Sequence, residues 1–230
     1  MTELFLSRAR LRRDAPVAAL ANLLVPENAA DRAAASHRLV WALFADAADR
    51  RRDFLWREEK PGQFMALSAR PPADPHGLFD LESKPFAPKL SPGDRLGFTL
   101  RVNPVVARSE APGKRGKRGK RHDVVMDLLR DVPKEERAKA RPEAVLTAGR
   151  TWLARQGEAN GFDPLGEVGV DGYDSVRIPR AAGKPAVFGV LDISGVLEVR
   201  DPVCFLARLT QGFGRARAFG CGLMLIRRAR

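Results

Sequence analysis

Two successive runs of strand, helix and further strands, separated by a cationic stretch with no apolar residue, predict an α+β chain. The expected architecture is two tandem ferredoxin-like (RRM-like) domains joined by a basic linker. The 230 residues suffice for two domains of about 100 residues each. A hydrophobic share of 44% supplies a core for both and excludes a disordered chain. On this reading residues 1–110 form the N-terminal domain, 111–122 the linker and 123–230 the C-terminal domain.

The first run opens with loose alternation over Leu4 to Arg10, a strand pattern. Pro26 to Asp31 breaks the chain and offers the capping residues Asn28 and Asp31. A helix is predicted over 33–48, because Leu39, Val40, Leu43, Phe44 and Ala47 share one face. Asp53 to Glu58 and Gln63 to Ala69 read as strands joined by Pro61-Gly62. Pro71 to Pro92 is proline-rich and expected to be irregular, so the first domain lacks a clear second helix. Arg95 to Val102 alternates and is expected to be its last strand, ended by Asn103-Pro104.

Gly113 to Arg121 is Gly-Lys-Arg three times over, with six cations in nine residues. Such a segment cannot pack into a core, and its like charges hold it extended. Helical patterns follow at about 123–130 and 142–156. Tyr173 to Pro179 and Pro185 to Asp192 suit a hairpin, and Val196 to Val199 continues the strand character. Asp201 caps a helix that starts at Pro202 and runs to about Gln211, and Gly222 to Arg227 is the final strand.

The balance of 40 basic against 28 acidic residues, a formal +12, favours a polyanionic partner. No apolar run is long enough to span a bilayer, and Met1-Thr2-Glu3-Leu4 lacks the pattern of a signal peptide. Nucleic acid therefore ranks ahead of membrane, in a cytoplasmic setting. Cys204 and Cys221 have no metal-ligand spacing and are expected to be reduced core residues. His37, His76 and His122 are widely separated, so neither a metal nor a cofactor is expected.

His37 lies roughly 90° from the middle of the helix's apolar stripe at ~100° per residue, beside Trp41 one turn on. That margin suits a surface histidine covering Trp41. It also suits a catalytic histidine held by a rigid backbone. In metal-free RNA cleavage a 2'-hydroxyl attacks the adjacent phosphorus, a base takes its proton and an acid protonates the leaving 5'-oxygen. Histidine serves either role near neutral pH. Charge growing on the phosphoryl oxygens calls for a nearby cation, and Arg38 is the candidate.

Gly212-Phe213-Gly214-Arg215-Ala216-Arg217-Ala218-Phe219-Gly220-Cys221-Gly222 sets two GxG steps around Arg215 and Arg217. No Gly-Lys-Ser/Thr closes it, and it follows a helix and leads into a strand, which excludes a P-loop and a dinucleotide fingerprint. Glycines at 212, 214, 220 and 222 allow close backbone approach to a phosphate, or simply a tight turn. Arg177, Arg180 and Lys184 cluster around the expected hairpin and suit either a solvated hairpin or a contact with a duplex RNA end or loop. Lys114 and Arg115 begin the cationic run, which suits either a backbone contact or a solvated linker. With 12 Phe, 3 Trp and one Tyr in mostly core-like positions, and no RNP1 pattern, recognition by shape and charge is favoured over base stacking.

Taken together the motifs resemble the CasE-type CRISPR repeat endoribonucleases of type I-E (Cascade) systems, over essentially the whole chain. The resemblance rests on His37-Arg38-Leu39, Phe54-Leu55-Trp56, Lys84-Pro85-Phe86-Ala87-Pro88, Pro92-Gly93-Asp94-Arg95-Leu96, Leu100-Arg101-Val102-Asn103-Pro104 and the loop Gly212 to Gly222 with Leu223. It implies two ferredoxin-like domains, and metal-free cleavage at the base of a CRISPR repeat stem-loop. The implied ends are a 2',3'-cyclic phosphate and a 5'-hydroxyl, with the crRNA product kept for assembly with other Cascade subunits. His37 matches the family's catalytic histidine, and the basic hairpin matches the element that grips the stem. The family often has a tyrosine three residues before the histidine. Ala34 stands there in this chain, which leaves Arg38 or Ser36 as partners for His37 or makes the protein a non-catalytic repeat-RNA-binding subunit.

Overall fold

The computed structural model describes residues 3–14, 17, 20–46, 50–108, 120–178 and 183–229. The chain divides into two compact units: Met1–Lys89 with Ser175–Val187 and Leu209–Leu223, and Leu90–Asp174 with Phe188–Arg208 and Met224–Arg230.

The first unit holds β1 (Phe5–Leu11), a short α1 (Ala21–Leu24), α2 (Ala29–Ala42), β2 (Phe54–Lys60), β3 (Gln63–Ser68) and β4 (Phe79–Pro85). Its sheet runs β2-β3-β1-β4 with every neighbour antiparallel, the strand order of a ferredoxin-like fold. Residues 69–78, where that fold would place a second helix, carry none. Asn28 starts α2: its Oδ1 accepts from the Asp31 amide at 3.4 Å. The helix ends at Ala42 rather than at 48; the anticipated stripe is the core face from Leu39 to Phe44, and Ala47 lies outside the described residues. Leu39, Val40, Leu43 and Phe44 pack with Phe54, Trp56, Phe64 and Phe79, and Phe44 stacks on Phe54 with ring centroids 4.2 Å apart. Burying each such side chain contributes about 1.5–3 kcal/mol.

β4 lies inside the proline-rich stretch expected to be irregular. As the edge strand beside β1 it needs hydrogen bonds on one side only, so it tolerates Pro85 and the charges Asp80, Glu82 and Lys84. Ser83 meets Ser7 across the pair, Oγ to Oγ 2.8 Å.

The second unit is built on β5 (Arg95–Val102), followed by the two-stranded ribbon of β6 (Val105–Arg108) and β7 (Lys120–Asp123). Then come α3 (Val124–Leu128), α4 (Arg137–Asn160), β8 (Phe162–Ile178), β9 (Ala186–Val199), α5 (Pro202–Gln211) and β10 (Met224–Arg228). The sheet order β10-β5-β9-β8 repeats the ferredoxin-like order, here with both crossover helices. β5, expected as the last strand of the first domain, is a central strand of this second sheet, antiparallel to both β9 and β10. Its buried Leu96, Phe98, Leu100 and Val102 supply one face of the second core. Sequence alternation identifies such a strand without identifying its partners.

The hairpin is longer than the alternation suggested. β8 begins at Phe162 despite Pro164, Gly166, Gly169 and Gly172, because it too is an edge strand. β7 takes in Lys120 and Arg121, the last Lys-Arg step of the cationic run, and pairs antiparallel with β6. Lys114 and Arg115 lie outside the described residues. Cys221 is buried as expected, whereas Cys204 is exposed: it sits with the exposed Val203 on the outer face of the first turn of α5. Among the described residues no helix is long and apolar enough to cross a membrane.

Candidate active site

α2 and the loop between α5 and β10 build the site within the first unit. His37 is half-buried, and its Nδ1 lies 2.7 Å from the carbonyl oxygen of Ala218. The indole Nε1–H of the buried Trp56 donates to the same oxygen at 3.2 Å. A carbonyl only accepts, so the short Nδ1 contact requires the hydrogen to sit on Nδ1. In the neutral ring the lone pair is then on Nε2. The ring is further fixed by Phe219, with centroids 5.2 Å apart, and by Trp41 at 6.2 Å in an edge arrangement. Trp41 is thus both the neighbour expected from the helical spacing and one wall of the site.

The loop that carries Ala218 is shaped by its glycines. Gly212, Gly214, Gly220 and Gly222 all take left-handed φ, at 78°, 63°, 77° and 93°. The two GxG steps are tied together, the Phe213 amide donating to the Gly222 carbonyl at 2.9 Å. A Cβ at Gly222 would sit 2.5 Å from the Phe213 oxygen, and one at Gly212 would sit 2.8 Å from Leu55 of β2. Both positions therefore exclude a side chain. The stem of Arg217 lies across these two glycines: its Cδ and Cγ are 3.2 and 3.0 Å from where their Cβ atoms would be. Arg217–Phe219 form one 3₁₀ turn, which lifts the Ala218 carbonyl toward His37.

The other expected site residues are distributed as follows. Arg38 is exposed on α2 and Arg215 is exposed on the loop, while Arg217 is partly buried and donates Nη1 to the Gln211 carbonyl. Arg177 and Lys184 are exposed on the hairpin, in the part that belongs to the first unit. Arg180 lies outside the described residues. Ser36 is buried and its hydroxyl donates to Glu58 at 3.2 Å, so it is committed away from His37. Tyr173, the single tyrosine, belongs to the second unit and donates its hydroxyl to Asp123 at 2.9 Å. Burial and the Asp123 carboxylate push that phenol well above its ordinary pKa. Among the described residues no group of three or more His, Cys, Asp and Glu side chains is arranged to hold a metal ion.

Two contributors escape a reading of side-chain types. The Ala218 carbonyl is a backbone acceptor, which residue identity does not signal. Arg52, just before β2, is half-buried; burial first and the Arg217 charge second pull its pKa below the ordinary guanidinium value. The only sequence signal for it is the cationic run Arg50-Arg51-Arg52 ahead of an apolar strand.

Two four-stranded sheets in ferredoxin-like order, with a loop-clamped histidine packed beside the first, define a ferredoxin-like protein. The chain belongs to the CRISPR associated protein family, whose model matches residues 4–228. It is 35% identical over 153 residues to the CRISPR-associated endoribonuclease Cse3 of Thermus thermophilus, covering 62% of this chain and 60% of that relative's length. It is 24% identical over 194 residues to the CRISPR system Cascade subunit CasE of Escherichia coli K12, covering 82% of this chain and 88% of the relative. Among solved structures it is similar to the CRISPR endoribonuclease Cse3 bound to a 19-nucleotide RNA. The TM-score is 0.68 at 25% identity, over 99% of both chains.

Proposed function

We propose that this chain is a CRISPR repeat endoribonuclease that cuts at the base of the repeat stem-loop without a metal ion and keeps the crRNA for a Cascade complex. The observation that carries the reading is the 2.7 Å contact between His37 Nδ1 and the Ala218 carbonyl. It commits one ring nitrogen to the loop and leaves Nε2 to exchange a proton with RNA. As a neutral ring His37 takes the proton of the 2'-hydroxyl. As an imidazolium it gives one to the leaving 5'-oxygen. The 2'-oxygen bonds to phosphorus while the bond from phosphorus to the 5'-oxygen breaks, so the ends are a 2',3'-cyclic phosphate and a 5'-hydroxyl. Arg38 adds positive charge one residue from His37, and Arg177, Arg180, Lys184 and Arg215 grip the stem, with Lys114 and Arg115 along the backbone. The kinship with Cse3 and CasE supports the substrate and the partner complex. The cytoplasm is the setting this implies.

The test is cleavage of an end-labelled repeat hairpin in EDTA by the wild type and by His37→Ala. The wild type is expected to give one cyclic-phosphate product and His37→Ala to bind with little change but lose at least ~100-fold in single-turnover rate. A substrate with hydrogen in place of the 2'-hydroxyl beside the cut is expected to resist; its unimpaired cleavage would refute the mechanism. Ala34, standing where the family often has tyrosine, favours a second reading, a non-catalytic subunit that holds the repeat RNA. Tight binding by both proteins with no product from either would establish it.

A further inference from the structure

The charge of Arg217 is felt at Arg52, and among the described residues neither guanidinium forms an ion pair with a carboxylate. Asp53, the acid next in sequence, is bound by Arg70 at 3.1 Å, and Glu59 on β2 is bound by Arg57 at 2.7 Å. Arg52 Nη1 is buried, and among the described residues it has no hydrogen-bond partner. Arg217 spends one donor on the Gln211 carbonyl, and its stem is fixed against Gly212 and Gly222. β2 ties the two together: Leu55, three residues after Arg52, packs against Gly212, and Trp56 hydrogen-bonds Ala218, the residue after Arg217. A half-buried guanidinium with one buried, unpartnered nitrogen beside a second cation is costly for a fold unless something anionic satisfies both. The planar fork of arginine matches two oxygens of a phosphate.

We propose that Arg52 and Arg217 form a phosphate-binding pair, built into the loop that clamps His37, which holds a phosphate of the RNA backbone for cleavage. The assignment of RNA as the ligand rests on the nuclease reading above; the anion site itself does not. The pair positions the phosphate through charge and fork geometry, and His37 exchanges the proton. The glycines at 212 and 222 then have a second purpose beyond the turn: they form the bed on which the Arg217 stem lies.

The test uses the full chain and two probes. With inorganic phosphate against chloride at matched ionic strength, the thermal midpoint of the wild type is expected to rise. Arg52→Gln and Arg217→Gln are each expected to lose most of that rise, while Arg155→Gln, an exposed change on α4, keeps it. Without phosphate, Arg52→Gln is expected to melt no lower than the wild type, because it removes a half-buried cation whose Nη1 is unsatisfied. With repeat RNA at saturating protein, both Gln variants are expected to lose about 100-fold in single-turnover cleavage. Arg52→Lys is expected to recover charge but only part of the rate. A phosphate-induced rise that persists in both Gln variants, or wild-type cleavage by both, overturns the pair. Loss of the rise together with absence of RNA cleavage by the wild type leaves the anion site standing and sinks the nuclease reading. If Arg52→Gln does not fold, Arg217→Gln decides the same question.

Discussion

The Ala218 carbonyl converts His37 from one more half-buried histidine into a group with a defined tautomer. Its neighbour Ala216 is bound to that geometry, because it has φ 52° and ψ 28° and is the one non-glycine residue with positive φ among the described residues. For an L-residue this region costs about 1–2 kcal/mol. Ala216→Gly is therefore expected to stabilise the protein by about 1 kcal/mol, read as a higher urea midpoint with unchanged slope. Ala216→Val is expected to lower it, and a higher midpoint for the valine variant would contradict the strain. At this scale much of the site was legible. His37 at the margin of an apolar stripe and the two GxG steps were both recognisable, because spacing and glycine placement are properties of residue type. Arg52 and the Ala218 carbonyl were not, since a half-buried guanidinium with an unpartnered Nη1 and a backbone acceptor acquire meaning only once β2 and the loop are brought together.

Among the elements, the start of α3 shows how a local signal becomes a tertiary joint. Asp123 ends β7 and caps α3, its Oδ1 accepting from the amides of Val125 and Met126 at 2.9 and 3.1 Å. The same oxygen receives the Tyr173 hydroxyl of β8, and Arg141 of α4 lies over the Tyr173 ring, 5.6 Å from its centroid. One carboxylate thus joins a ribbon, a helix and the edge strand of the sheet. Asp123→Ala is expected to cost about 2–3 kcal/mol, a lost cap plus a stranded phenol. Combining it with Tyr173→Phe is expected to cost less than the sum of the two single changes, measured by denaturant unfolding. Full additivity would mean that the hydroxyl contact is idle. Element existence was legible wherever an apolar period was sustained, as on α2 and β5. It failed for the edge strands β4 and β8, whose prolines, glycines and charges are tolerated because one side of an edge makes no ladder. The partnership of β5 was invisible for a different reason: alternation fixes which face is buried, not which sheet the strand joins.

For the whole molecule the governing quantity is charge, a formal +12 on 230 residues. Several surface arginines are already paired, among them Arg8 and Arg10 with Glu82, and Arg50 with Asp46. Such exposed pairs contribute little to stability. The unneutralised excess instead raises the local concentration of a polyanion and accelerates its capture, an effect that salt screens over about 10 Å at 0.1 M. Proton transfer at His37, once the RNA is seated, involves short contacts that salt barely reaches. Binding and chemistry are therefore expected to separate in a salt titration. If about six phosphates are neutralised, the logarithm of the binding constant should fall against the logarithm of salt with a slope of about −4 to −5.5. The single-turnover rate at saturating protein should stay within about twofold over the same range, because the screened interactions are those of approach rather than of the seated phosphate. A cleavage rate that falls as steeply as affinity would mean that long-range charge, and not the clamped histidine with its arginine pair, sets the chemistry.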